Sequence, residues 1–332
     1  MKKLGFLGLG VLAASCCSAG VLSEDPAPKK MHYDITVYNG YVSGNSESIV
    51  YRPSHSIGYR EYVDGLSNEL VLMSDSDELM SHLDWKLRHM LVNGVKASAT
   101  LGKLHLMMNG WYRINASEST MVDRDWMNSD KPAQMTHISW SPSELKNAYE
   151  ISAELAYEIF QWKLKKHDFV FQALGGYKQL RFYWESSGGS FQYYDHWGSL
   201  PDRLGIGFAQ KFAIPYLGLR ADHHWKQIAY GLFWKVSPGL STITSHDYHA
   251  LRFTDFYEEF KNGNYWMLGG NFSWNFRSNL TLNLSYAFDQ LITTRGNTTI
   301  NNRESGRSTY FTGGAGVSHA HQICTLEAIF PY

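Results

Sequence analysis

At 332 residues, with a formal net charge of −1 and 18% charged residues, the chain has no global charge excess that would point to nucleic acid or another polyanion as partner. Beyond residue 20 no stretch reaches the roughly 18 to 20 consecutive apolar residues of a membrane helix, and mean hydropathy is −0.33, so a helical membrane protein is excluded. An aromatic content of 15%, with 11 Trp, 21 Tyr and 17 Phe, suits instead a transmembrane barrel with aromatic girdles at both interfaces.

The N-terminus reads as an address. Lys2 and Lys3 precede the short apolar run Leu4 to Ala14, the pattern of a secretory signal. Cleavage after Ala19 is favoured over a weaker lipoprotein-like match before Cys16, which gives a signal peptide over 1–19 and one domain over 20–332. Cys324 is then the sole cysteine of the mature chain, and an exported protein of this size must hold together without an intrachain disulfide.

From there the dominant signal is alternation of apolar and polar residues with period two. Tyr149, Ile151, Ala153, Leu155, Tyr157 and Ile159 alternate with Glu150, Ser152, Glu154 and Glu158; Leu280, Leu282, Leu284, Tyr286 and Phe288 alternate with Thr281, Asn283, Ser285 and Ala287. Glutamates are costly inside a dry sandwich but natural where one face meets lipid and the other a wet lumen. The alternation predicts an all-β fold, a ten-stranded antiparallel up-and-down transmembrane β-barrel with long extracellular loops. Strands are expected near 31–44, 82–100, 103–114, 147–161, 168–186, 205–221, 226–238, 263–276, 279–291 and 310–331. Short turns fall at Leu101–Gly102, Lys163–His167, Asp222–Trp225 and Arg277–Ser278, and long links span 45–81, 115–146, 187–204, 239–262 and 292–309. The chain ends on Phe330-Pro331-Tyr332, an aromatic terminus of the outer-membrane kind.

Two residue pairs carry candidate chemistry because a spacing of two puts both side chains on one face of an extended chain. Asp123 and Asp125 lie beyond the third expected strand, and Asp247 and His249 beyond the seventh. Odd-numbered strands of a meander run the same way, so both pairs reach the same rim, on opposite walls. A carboxylate beside imidazole fixes its tautomer and stabilises the imidazolium, while two close aspartates resist ionising together and can keep one proton between them. Together they could activate a water for peptide hydrolysis. Asp75 and Asp77 share the spacing with nothing else to recommend them; His319/His321 and Asp222-His223-His224 read as lumen or turn residues, and no metal site is expected. A barrel lipase would need a serine–histidine pair on the outer wall, and none is evident. A catalytically silent porin or adhesin is the alternative that the strands alone support equally.

The chain resembles the omptin family of outer-membrane proteases from about Asp34 to Tyr332. The resemblance rests on Leu83-Asp84-Trp85-Lys86, the specific stretch Met121-Val122-Asp123-Arg124-Asp125-Trp126-Met127, Gln210-Lys211-Phe212, Ile214-Pro215-Tyr216-Leu217-Gly218-Leu219 and Asn264-Tyr265. It implies an aspartate–histidine endopeptidase in the outer membrane, with its active site facing outward. Asp123 and Asp125 match the family's aspartate pair, Asp247 and His249 its dyad, and Ser139 a serine expected to support them. No cofactor is expected beyond lipopolysaccharide, which the family requires as a lipid activator; its binding positions match Tyr177, Gln179 (commonly glutamate in the family), Arg181, Lys211 and Lys261. The expected partners are peptide or protein substrates at the cell surface and outer-membrane lipids. The departures lie where omptins use acidic side chains to take a basic residue. Ser48, with Glu47 one residue out of register, Ser245 and His137 occupy those positions, so a strictly dibasic preference is expected to weaken.

Overall fold

The computed structural model describes residues 31–61, 68–277 and 280–329. The expected signal segment, Ser278 of the Arg277–Ser278 turn and the terminal Phe330-Pro331-Tyr332 lie outside the described residues. In chain order the strands are β1 (His32–Tyr51), β2 (His55–Glu61), β3 (Asn68–Met73), β4 (Leu79–Leu101), β5 (Leu104–Arg113), β6 (Ser117–Asp125), β7 (His137–Leu164), β8 (His167–Ser187), β9 (Ser190–Tyr193), β10 (His196–Ser199), β11 (Leu204–Trp225), β12 (Ile228–His249), β13 (Thr254–Arg277), β14 (Leu280–Asn302) and β15 (Arg307–Ile329). One short 3-10 turn, Ala250–Arg252, joins β12 to β13.

The sheet follows β1, β4, β5 with its continuation β6, β7, β8, β11, β12, β13, β14 and β15, and β1 pairs back onto β15 from Tyr38↔Glu327 to Val50↔Ala315. The ring passes through 10 strand positions, and closure leaves the ring itself without an open edge. Outside it, β3 pairs in parallel with β15 and carries β2, while the β9–β10 hairpin pairs with the start of β7.

The strands overrun the expected boundaries at one end. Unbroken barrel strands span from 20 residues in β1 to 28 in β7, whereas a tilted strand crosses a bilayer in about 9 to 11. The remainder stands clear of the lipid. Most of the expected long link 239–262, and of 292–309, is therefore strand, and 115–146 holds β6 and the start of β7. The alternation that marks a lipid-facing wall fades where both faces meet polar surroundings, which is why these extensions read as loops. The third barrel strand is also interrupted at 114–116, where Asn115 accepts from the Leu91 amide at 2.8 Å and donates to the His89 carbonyl at 2.8 Å. The turn expected at Asp222–Trp225 is instead the end of β11, with His223 buried; the reversal comes at Lys226, in left-handed backbone.

Outward-facing apolar residues such as Val95, Leu106, Leu155, Leu219, Leu232 and Leu284 are 40% or more exposed and gather toward the short turns, which locates the lipid belt there. The interior changes along the barrel. On the turn side it is polar: Lys235 Nζ lies 2.5 Å from Glu154 Oε2, to which Tyr216 donates at 2.9 Å. Farther along, Lys178 pairs with Asp289 and, at 3.5 Å, with Glu150. Beyond that, Trp85, Phe182, Trp184, Phe208 and Phe212 are fully buried and pack ring on ring, Trp85 against Phe208 at 5.3 Å between centroids. Part of the aromatic load thus fills a dry core rather than the girdles. At roughly 1.5 to 3 kcal/mol for each large apolar side chain buried, it contributes substantially to stability. This core forms the floor of the far mouth.

Candidate active site

The far ends of β6 and β12 carry the two residue pairs as expected from their spacing, but on strands rather than loops. Met121, Asp123 and Asp125 are all buried on one face of β6, and Ser245, Asp247 and His249 on one face of β12. Asp123 lies opposite Ser139, and Asp125 opposite His137, in the β6–β7 pair. Ser81 of β4 donates to Asp123 Oδ1 at 3.3 Å. On the other wall one ring nitrogen of His249 sits 3.1 Å from Asp247 Oδ2, which leaves its second nitrogen for another partner. The other Asp247 oxygen, Oδ1, is buried without a hydrogen bond.

The two walls share a cavity of about 150 Å³, lined by Asp123 and Ser139 on one side and His249 and Arg252 on the other. At about 30 Å³ per water it has room for several. Burial and the neighbouring Asp125 push Asp123 up to about 7, against the pull of His249 and Arg252. For His249, burial opposes protonation, but the Asp247 carboxylate, its hydrogen bond and Asp123 outweigh it, so the ring titrates above its ordinary value. Both shifts run the same way, so Asp123 takes up a proton more readily than an ordinary carboxyl and His249 is a stronger base than an ordinary imidazole. Arg252, at the rim, is held high by Asp123 and Asp125 against partial desolvation, and also hydrogen-bonds Tyr193 of β9. Sequence reasoning missed Arg252, although its place three residues after His249, at the tip of a hairpin, could have suggested it.

Of the expected substrate positions, Ser48 is buried on the inner face of β1, whereas Glu47 lies on the opposite face. There it accepts from Ser318 at 2.6 Å and approaches His82 at 3.9 Å. The β1 register runs without a shift from Gly44 to Val50 against β4 and from Tyr38 to Val50 against β15, so no bulge turns Glu47 inward. His137 shares the inner face with Ser139 and packs against Tyr193 and Tyr194, with ring centroids at 4.6 and 5.1 Å. Ser245 is buried and donates to Glu258 of β13, a carboxylate that sequence reasoning passed over.

The expected lipid positions form a band on the outer wall. Tyr177, Gln179 and Arg181 alternate outward along β8, Lys211 on β11 lies directly opposite Arg181, and Lys261 is exposed on β13. Gln179 donates to the Tyr149 hydroxyl at 3.4 Å. Among the described residues one group, Glu150, Asp289 and His321, has spacing that could hold a metal ion. The Lys178 ammonium already pairs with both of its carboxylates, so the group's negative charge has a built-in counter-ion.

A family model described as the Omptin family matches residues 53–331. The chain is 26% identical over 306 residues to the outer membrane protease OmpP of Escherichia coli strain K12, covering 90% of this chain and 89% of that protein. It is 27% identical over 280 residues to the outer membrane protease IcsP of Shigella flexneri, covering 81% and 80%. The crystal structure of the outer membrane protease OmpT from Escherichia coli is similar with a TM-score of 0.78 and 21% sequence identity, covering 94% of this chain and 99% of that one. That likeness is one of fold.

Proposed function

The chain belongs to the omptin family, and on that premise we propose that it is an outer-membrane endopeptidase that cleaves peptide bonds with a water held between Asp123 and His249. The observation that carries this reading is the single cavity into which both side chains reach from opposite walls. His249 takes the water's proton, and Asp247 stabilises the imidazolium that results. The Asp123–Asp125 pair shares one proton, which is offered to the carbonyl oxygen as the tetrahedral intermediate forms and stays with, or returns to, the pair when the C–N bond breaks and the carbonyl re-forms. Arg252 limits the mutual repulsion of the two carboxylates, and Ser139, opposite Asp123, orients the water. His249 then returns its proton to the leaving amine.

The mouth faces the outside of the cell, since the site lies at the end remote from the short turns, and short turns are periplasmic in such barrels. Lipopolysaccharide activates the enzyme by binding the outer band of Tyr177, Gln179, Arg181, Lys211 and Lys261. Specificity is less strictly dibasic than the family norm, because Ser48 and Ser245 stand where carboxylates are expected. The reaction class is tested by assaying detergent-purified, lipopolysaccharide-loaded protein with 1,10-phenanthroline and with a serine-reactive fluorophosphonate. Cleavage that survives both supports an activated water; loss to the chelator with recovery on added zinc would make it a metalloenzyme.

A further inference from the structure

Glu258 lies directly opposite Ser245 in the β12–β13 pair, one same-face step along β12 from Asp247 and two from His249. Its side chain is 2% exposed. The Ser245 hydroxyl donates to Glu258 Oε2, and the Ser48 hydroxyl also hydrogen-bonds this side chain from β1. The two serines that occupy the expected acidic positions thus converge on one carboxylate. On its other side Glu258 faces Thr298 of β14, whose buried hydroxyl has no hydrogen-bond partner.

We propose that Glu258, framed by Ser48 and Ser245, is the specificity residue of this mouth and takes one cationic side chain, a guanidinium or ammonium, from the residue flanking the scissile bond. The assignment rests on the endopeptidase reading given above. Among the described residues no lysine, arginine or histidine forms an ion pair with Glu258, although an ionised buried carboxylate normally requires one. Burial, together with the Asp247 charge, outweighs the two serine hydrogen bonds and pushes Glu258 up to about 8. Without substrate it therefore holds its proton near neutrality. An arriving cation supplies the missing counter-charge, and the proton leaves to solvent as the ion pair forms. Recognition of a basic residue should accordingly strengthen as pH rises, whereas a neutral isostere should gain nothing. The groups facing Glu258 fit this assignment: Asp247 on β12 bears the one charge acting on it among the described residues, while Ser48 on β1, Ser245 on β12 and Thr298 on β14 are hydroxyls.

The test uses lipopolysaccharide-loaded protein and peptide pairs that differ only by arginine or citrulline at each position flanking the cleaved bond, read as the ratio of kcat/KM values between pH 6 and 9. Taking a ratio cancels the titration of His249. The arginine preference is expected to reach roughly 10- to 150-fold at one flanking position, the value of one charge-assisted pair, to shrink toward pH 6, and to collapse toward unity in Glu258→Gln. A pH-independent ratio in the unmodified protein overturns the assignment even where Glu258→Gln fails to fold, and so does a folded Glu258→Gln that keeps its arginine preference. Equal cleavage of both peptides overturns it while leaving the protease reading in place. Cleavage of neither overturns both.

Discussion

In the proposed mechanism Asp123 and His249 divide the work although both are pushed toward their protonated forms: burial and Asp125 raise Asp123, while Asp247 outweighs burial and makes His249 a stronger base. A base must be neutral to accept a proton, so kcat/KM should fall as pH drops through the raised pKa of His249. The midpoint of that acid limb is expected above the ordinary histidine value of about 6.5. In Asp247→Asn the main charge raising His249 is gone while burial still lowers it, so the limb of the residual activity should move downward; a pH profile of the two proteins checks the sign, and an unmoved limb contradicts it. The placement of the two proposed catalytic pairs on one face each was legible in the sequence, because Asp-x-Asp and Asp-x-His put both members of a pair on one side whether the chain is strand or extended loop. Glu258 was not. Within Glu258-Glu259 it reads as half of an ordinary exposed acidic pair, and only the hairpin tip at Ala250–Arg252 fixes the register that sets it against Ser245.

At the scale of strands, the membrane-crossing segments and most short turns were readable because lipid enforces a clean alternation. Their extensions were not, since a wall with water on one side and buried Ser, Asp and His on the other has no apolar stripe to find. Close cross-strand packing is equally invisible in the sequence. Gly94 of β4 faces Tyr38 of β1, and a Cβ at that position would overlap the tyrosine ring, whose hydroxyl donates to Asn109 Oδ1 at 2.7 Å. Gly94→Ala should therefore either displace the ring or strain the strand pair, at a cost of about 1 to 3 kcal/mol. The expected result is a lower denaturant midpoint with an unchanged slope, followed by the heat-dependent gel shift of the folded barrel. An unchanged midpoint would mean that the ring swings aside freely.

The whole molecule joins a lipid-facing belt, a dry aromatic floor and a charged mouth, and the outer band of Arg181 and Lys211 lies on the same strands whose inner faces carry that floor. Cations paired across adjacent strands suit lipid phosphates, and charge-assisted contacts contribute roughly 1.5 to 3 kcal/mol each. Arg181→Ala combined with Lys211→Ala should raise the lipopolysaccharide concentration for half-maximal activity at least about tenfold, in a titration of refolded protein; full turnover of the lipid-free parent would contradict the requirement. Above all, both walls of the mouth are proposed to act on one water. The most direct test is to map by mass spectrometry the cuts made in a mixed peptide library by lipopolysaccharide-loaded protein and by its Asp123→Ala and His249→Ala variants, each verified as a folded barrel by heat-modifiable migration. Defined cleavage sites are expected for the parent, with a loss of at least about 10² in rate for each variant; parent-like cleavage by either folded variant would rule out a shared water.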